Sequence, residues 1–161
     1  MKGVGDKLDL GFEVKVVRHA GAAPEVVRLA DLMTGPTVIS VYMRNNTGSC
    51  DRQVASLVEH AAAIRERGYG LMALSRDTAG SHGRYAAKQA IDFPLVSDPQ
   101  DQFATAADAM VEKKMYGRTF QGPLRSAWVL DRAGRVVGLI DPVTAADHGP
   151  QVLALLASLA D

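Results

Sequence analysis

Pro36-Thr37-Val38-Ile39-Ser40-Val41-Tyr42-Met43 runs directly into Arg44-Asn45-Asn46-Thr47-Gly48-Ser49-Cys50. The first half is dense in β-branched and aromatic side chains, which suits a central strand buried on both faces. It stops at a polar turn. Beyond the turn, Val54, Leu57, Val58, Ala61 and Ile64 recur at three- and four-residue intervals, so one stripe of a helix can pack on the sheet. The helix becomes wetter at Arg65-Glu66-Arg67, and Gly68 is placed to stop it. Tyr69 to Ser75 reads as the next strand and Ala79 to Ala90 as a second helix. Strand, helix, strand, helix at this spacing predicts right-handed crossovers onto a parallel sheet.

On the N-terminal side, Leu8 to Val17 contains short β-like pieces and Glu25 to Leu29 another. On the C-terminal side, Phe93 to Val96 is a short apolar piece closed by Ser97-Asp98-Pro99, with a short helix expected from Gln100 to Asp108. Met110 to Gly122, rich in Lys, Gly and aromatic residues, reads as a long loop, with Glu112-Lys113-Lys114 an exposed part of it. Ser126 to Leu130 and Arg135 to Ile140 flank Asp131-Arg132-Ala133-Gly134, the pattern of a β-hairpin. Val152, Leu155, Leu156 and Leu159 mark a closing helix. The expected class is α/β, a βαβ core extended by an antiparallel hairpin. At 161 residues the chain suits a single domain over 1–161, since two cores would each be small for their surface.

Lys plus Arg balances Asp plus Glu at 18 each, so no global field argues for a nucleic-acid or membrane partner. The N-terminal MKGVGDKLDL has no apolar core of a secretory signal, and no window reaches the apolar length of a spanning helix. The expected location is the cytoplasm. His19, His60, His82 and His148 form no close ligand pair, and only one thiol is present, so neither a metal nor another cofactor is expected. Trp128 and Met115 read as packing residues. There is no Gly-x-Ser-x-Gly elbow and no phosphate-binding glycine loop.

Cys50 falls in the first turn of the helix that follows the central strand, where unpaired backbone N–H groups and the positive helix end favour a thiolate. Thiolate character is also what carries a cysteine to sulfenic acid. A free cysteine is equally at home as a small core hydrophobe. The polar run Asn45 to Ser49 weighs against that second reading. Asp51 would oppose the thiolate if it pointed inward, so it is expected to face away. Thr47, three residues before Cys50, offers a hydroxyl that either orients a bound peroxide or caps the helix.

Tyr42 to Cys50 resembles the active-site loop of peroxiredoxins, specifically the bacterioferritin comigratory protein or PrxQ-like group. Ser81-His82 with Tyr85-Ala86, then Phe93 to Asp98, is similar to that group's second helix and following strand. Glu112 to Thr119 resembles its characteristic loop, and GPLRSAWVLD (Gly122 to Asp131) the segment that presents its arginine. The similarity runs from about Asp31 to Ile140.

The resemblance implies a thioredoxin-like fold of peroxiredoxin type, a central mixed β-sheet flanked by helices. It implies a thiol-dependent peroxidase acting on hydrogen peroxide and organic hydroperoxides. Cys50 carries over as the peroxidatic cysteine, Thr47 as the hydroxyl that positions the peroxide, and Arg125 as the guanidinium beside the thiolate. The group is often monomeric, so a monomer is expected.

Met43 stands where the family loop has proline, and Gly48 where the group often has another; both positions lose backbone constraint. Many members carry a resolving cysteine five residues after the first, where this chain has Ala55. Others carry it in the second helix, here Ser81-His82-Gly83-Arg84. An external thiol must therefore complete the cycle, with thioredoxin, glutaredoxin or a low-molecular-weight thiol as candidates. The competing reading is a non-catalytic thioredoxin-like module that senses peroxide or binds a partner through Cys50.

Overall fold

The computed structural model describes residues 1–160. The chain opens with an antiparallel hairpin, β1 (Glu13–Val17) and β2 (Glu25–Arg28), and a short 3-10 turn at Leu29–Leu32. The alternating core follows: β3 (Thr37–Val41), α1 (Gly48–Glu66), β4 (Gly70–Ser75), α2 (Ala79–Gln89), β5 (Leu95–Ser97) and the short α3 (Gln102–Ala106). Then come β6 (Met110–Met115), β7 (Arg118–Pro123), β8 (Ser126–Leu130), β9 (Val136–Ile140) and α4 (His148–Leu159).

Seven strands form one mixed sheet in the order β2-β1-β5-β4-β3-β8-β9. β3, β4 and β5 are parallel, as the alternating pattern predicts, and β8 joins β3 antiparallel. Every residue of β3 and β8 is buried, because helices cover one sheet face and the N-terminal segment with α3 the other. On one side Val54, Leu57, Ala61 and Ile64 of α1 pack with Val152 and Leu156 of α4. On the other, Trp128 packs with Phe103 at a ring-centroid distance of 6.0 Å. Trp128 is thus the packing residue its sequence suggests.

One expectation is corrected. Met110 to Gly122 is not a long loop; it is the two-stranded hairpin β6–β7, separate from the main sheet. Its turn is Tyr116-Gly117, with φ of 52° and 77° between the paired Met115 and Arg118. Two consecutive positive φ values are the requirement of a tight type I′ hairpin turn, and Gly117 makes that turn accessible. Lysines and mixed polarity hide the strands from a reading based on apolar runs, since most of this hairpin faces solvent.

Candidate active site

Two strand ends define the site. β3 and β8 are antiparallel with Val41 opposite Ser126, so the loop leaving β3 and the residue entering β8 meet at one edge. That register brings Arg125 beside Cys50. β4 runs parallel to β3, so Arg76 and Asp77, which follow it, reach the same edge. Ligand sites favour this carboxyl end of parallel strands.

Thr47 is the N-cap of α1 and Cys50 its third residue; the Asp51 amide already donates to the Thr47 carbonyl at 2.7 Å. Cys50 is 1% exposed, the floor of a cavity of about 530 Å³. Arg125 Nη2 donates to Cys50 Sγ and to Ser49 Oγ, both at 3.0 Å. Burial pushes the Cys50 thiol up. Hydrogen bonding from the Thr47 hydroxyl and from the backbone at Arg44 and Met43, with the Arg125 charge, outweighs it and holds the thiol below its ordinary value. The three residues singled out in sequence are therefore together.

Thr47 makes no side-chain cap bond to its own helix; its Oγ1 donates to the Arg44 carbonyl at 3.0 Å. A hydroxyl has one proton, so it serves that carbonyl or the thiolate, not both at once. Ionisation of Cys50 favours turning it to sulfur. Asp51 is engaged elsewhere, accepting from the Tyr85 hydroxyl at 2.6 Å.

The loop from Tyr42 to Cys50 is held by a buried network absent from the sequence expectations. Asn45 is 5% exposed; its Oδ1 accepts from Tyr42 at 2.5 Å and its Nδ2 donates to Ser81 Oγ and His82 Nδ1, each at 3.1 Å. The Asn45 amide donates to Asp77 Oδ2 at 2.9 Å. His82 is thereby fixed with its proton on Nε2, facing the Val96 carbonyl at 3.0 Å. Burial lowers its proton affinity despite the Asp77 charge. So α2, through Ser81 and His82, anchors the reactive loop.

The β6–β7 hairpin forms the outer wall of the cavity through Lys113, Met115, Phe120 and Pro123. Met115 is thus corrected from a packing residue to a rim residue, 58% exposed. Lys113, expected in an exposed loop, is half-buried and directs Nζ to Met43 Sδ. The closing of this hairpin over Cys50 is invisible in composition or periodicity; the family resemblance of Glu112 to Thr119 and of Gly122 to Asp131 is the signal that bears on it. Among the described residues, no cluster of three or more His, Cys, Asp or Glu side chains could hold a metal ion.

Comparison with known proteins gives the family. The chain belongs to the AhpC/TSA family, whose model matches residues 4–138. Within it the chain falls in the PrxQ/Bcp subgroup as a single-cysteine variant. It is 34% identical over 119 residues to Peroxiredoxin Bcp of Xanthomonas campestris, covering 74% of each chain. It is 23% identical over 154 residues to Peroxiredoxin Bcp of Bacillus subtilis, covering 96% of this chain and 98% of that one. Among solved structures, Xanthomonas campestris Peroxiredoxin Q superposes with a TM-score of 0.82 at 28% identity, covering 96% and 97% of the two chains. A Cys-to-Ser mutant of Xylella fastidiosa PrxQ reaches 0.85 at 26% identity, covering 100% and 99%. The fold is the thioredoxin-like peroxiredoxin fold, and the chain is a thiol-dependent peroxidase working through a cysteine sulfenic acid. Peroxide is the oxidising substrate and a thiol resolves the oxidised enzyme. No helix among the described residues is long and apolar enough to cross a membrane.

Proposed function

We propose that Cys50 is the peroxidatic nucleophile, with Arg125 and Thr47 completing its site, and that the protein reduces hydrogen peroxide and small organic hydroperoxides at the expense of an external thiol. The single observation that carries this is the 3.0 Å contact from Arg125 Nη2 to Cys50 Sγ at the first turn of α1. The Cys50 thiolate attacks one oxygen of the peroxide along the O–O axis. That bond breaks, the departing oxygen takes a proton and leaves as water or alcohol, and Cys50 becomes the sulfenic acid. Arg125, always charged, stabilises the negative charge that develops on the leaving oxygen. A first thiol condenses with the sulfenic acid, releasing water and forming a mixed disulfide; a second thiol exchanges with it, restoring Cys50.

Organic hydroperoxides enter the proposal because the cavity wall is partly apolar, through Met43, Phe120 and Pro123. A Xanthomonas campestris bacterioferritin comigratory protein, 28% identical with a TM-score of 0.82, is described by its alkyl peroxide reduction activity. An external reductant is supported by Cys50 being the one cysteine of the sequence. Thioredoxin, glutaredoxin and a small thiol all fit that role. One domain over 1–161, a monomeric state and a cytoplasmic site of action complete the reading; the first is supported by one continuous sheet between two core layers, the others by the group resemblance and the lone thiol.

Stopped-flow mixing with hydrogen peroxide, followed by mass measurement, tests it. The expected result is one added oxygen on wild type, none on Cys50→Ser, and continuing peroxide consumption when thiol is supplied. One stoichiometric oxidation without turnover would support the sensor reading instead.

A further inference from the structure

Four cationic side chains line the cavity over Cys50, namely Arg44, Arg76, Lys113 and Arg125, against one carboxylate, Asp77. Three of these charges are already occupied, those of Arg76, Asp77 and Arg125, and Arg44 is exposed to solvent. Arg76 is paired with Asp101, and Asp77 accepts from Ser75 Oγ at 2.6 Å and from the Asn45 amide. Arg125 serves the thiolate. Lys113 is different: it is half-buried, and its ammonium is directed to the Met43 thioether, a weak acceptor that brings no charge. Burial, and the neighbouring charges of Arg125 and Arg76, lower its proton affinity. Asp101 and Cys50 offset this only in part, and among the described residues no carboxylate forms an ion pair with the ammonium.

Its position is built rather than incidental. Lys113 pairs with Phe120 across the hairpin, and its stem lies over Gly122. A Cβ at Gly122 would come within 3.1 Å of Lys113 Cδ and 3.3 Å of Cε. The bare glycine lets the stem lie flat and carry the ammonium to Met43 Sδ, between the apolar Met43 and Phe120 surfaces.

We propose that Lys113 is a specificity residue for hydroperoxides that carry a carboxylate on a short apolar body. The proposal rests on the peroxidase reading of Cys50. The hydroperoxide group meets Cys50 and Arg125, the alkyl body lies against Met43 and Phe120, and the carboxylate accepts from the Lys113 ammonium. A charge-assisted contact of this kind in a half-buried site is worth about tenfold in rate.

The test uses a tertiary alkyl hydroperoxide with a terminal carboxylate, its methyl ester, and hydrogen peroxide. Second-order rate constants for Cys50 oxidation are measured on the full chain by stopped flow. The expected acid-to-ester ratio in wild type is about ten at low ionic strength. It should fall with added salt, approach one in Lys113→Met, and survive in Lys113→Arg. Gly122→Ala keeps the charge but displaces the stem, and should lower the ratio; each ratio is internal to its variant, so a general loss of reactivity does not mimic the effect. A wild-type ratio near one, or one unchanged in Lys113→Met, overturns the proposal while leaving the peroxidase reading intact if hydrogen peroxide still reacts. Failure of hydrogen peroxide itself to oxidise wild-type Cys50 would overturn both.

Discussion

Arg125 Nη2 sits 3.0 Å from Cys50 Sγ although 75 residues separate them, because Val41 and Ser126 are cross-strand partners at the mouth of the site. This one contact favours the thiolate, and in the proposed reaction it sets a fixed positive charge beside the breaking O–O bond. Arg125→Ala should therefore slow Cys50 oxidation by about two orders of magnitude, the usual consequence of removing a preorganised charge donor. The pH profile carries a separate signature. Because the site holds the Cys50 thiol below its ordinary value, the wild-type rate should rise with pH through that depressed value and then level off. Arg125→Ala should move the rise to higher pH. Stopped-flow rates across the pH range check both effects; a wild-type profile in the variant would remove Arg125 from the site.

Thr47 should show a smaller effect with a sharper chemical criterion. Its hydroxyl has one proton to give, to the Arg44 carbonyl or to the ionised sulfur. Thr47→Val keeps the shape but leaves the thiolate without that donor, and should cost about tenfold in the oxidation rate, the scale of one hydrogen bond to a charged group. Thr47→Ser retains the hydroxyl and should recover most of the rate. A loss in Thr47→Ser with none in Thr47→Val would show that the methyl group, not the hydroxyl, matters.

The alternation of β3, α1, β4 and α2 was legible because each segment declares its period in its apolar residues: Val38 to Tyr42 broken only by Ser40, Val54 to Ile64 at helical spacing. Cys50 was legible from its place after a strand and inside a helix start, and Thr47 and Arg125 from the resemblance of short motifs. The β6–β7 hairpin was not, since Glu112, Lys113 and Lys114 interrupt any strand pattern when both faces of the hairpin are largely wet. The pairing of Asn45 with His82 also gave no signal. They are polar residues 37 positions apart, and only folding α2 against the reactive loop makes them partners.

His148 predicts an acid-side loss of stability. It begins α4 fully buried, with Nε2 2.8 Å from Ser40 Oγ, which in turn accepts from Gln53 Nε2 at 3.0 Å. Burial, reinforced by the Arg125 charge and only partly offset by the bond to Gln151, pushes its pKa from 6.5 down to about 4. Between these values the unfolded chain binds a proton that the folded chain refuses, so stability falls as pH drops. The contribution is complete above about pH 6.5 and is lost as pH approaches 4, amounting to at most about 3 kcal/mol. His82, shifted the same way, steepens the slope. Urea midpoints measured from pH 4 to 7 should fall toward acid, and His148→Gln should flatten that fall. An unchanged slope in the variant would contradict a neutral buried His148.

Asn45 tests whether the reactive loop depends on α2. In Asn45→Ala the Tyr42 hydroxyl and His82 Nδ1 both lose their partner inside the core, and an orphaned buried polar group costs about 1–3 kcal/mol. The Tyr42 orphan can be removed separately. Adding Tyr42→Phe to Asn45→Ala deletes the stranded hydroxyl, so the double variant should be more stable than Asn45→Ala alone by about 1 kcal/mol. Denaturant unfolding of wild type, both single variants and the double variant measures this coupling directly. Cys50 reports the functional side of the same network: released from α2, the loop should expose the thiol, and a bulky thiol reagent should label it faster in Asn45→Ala than in wild type. Additive stabilities would mean that Tyr42 and Asn45 are not coupled, and unchanged labelling that the loop does not depend on α2 and that α1 and Arg125 alone hold Cys50 in place.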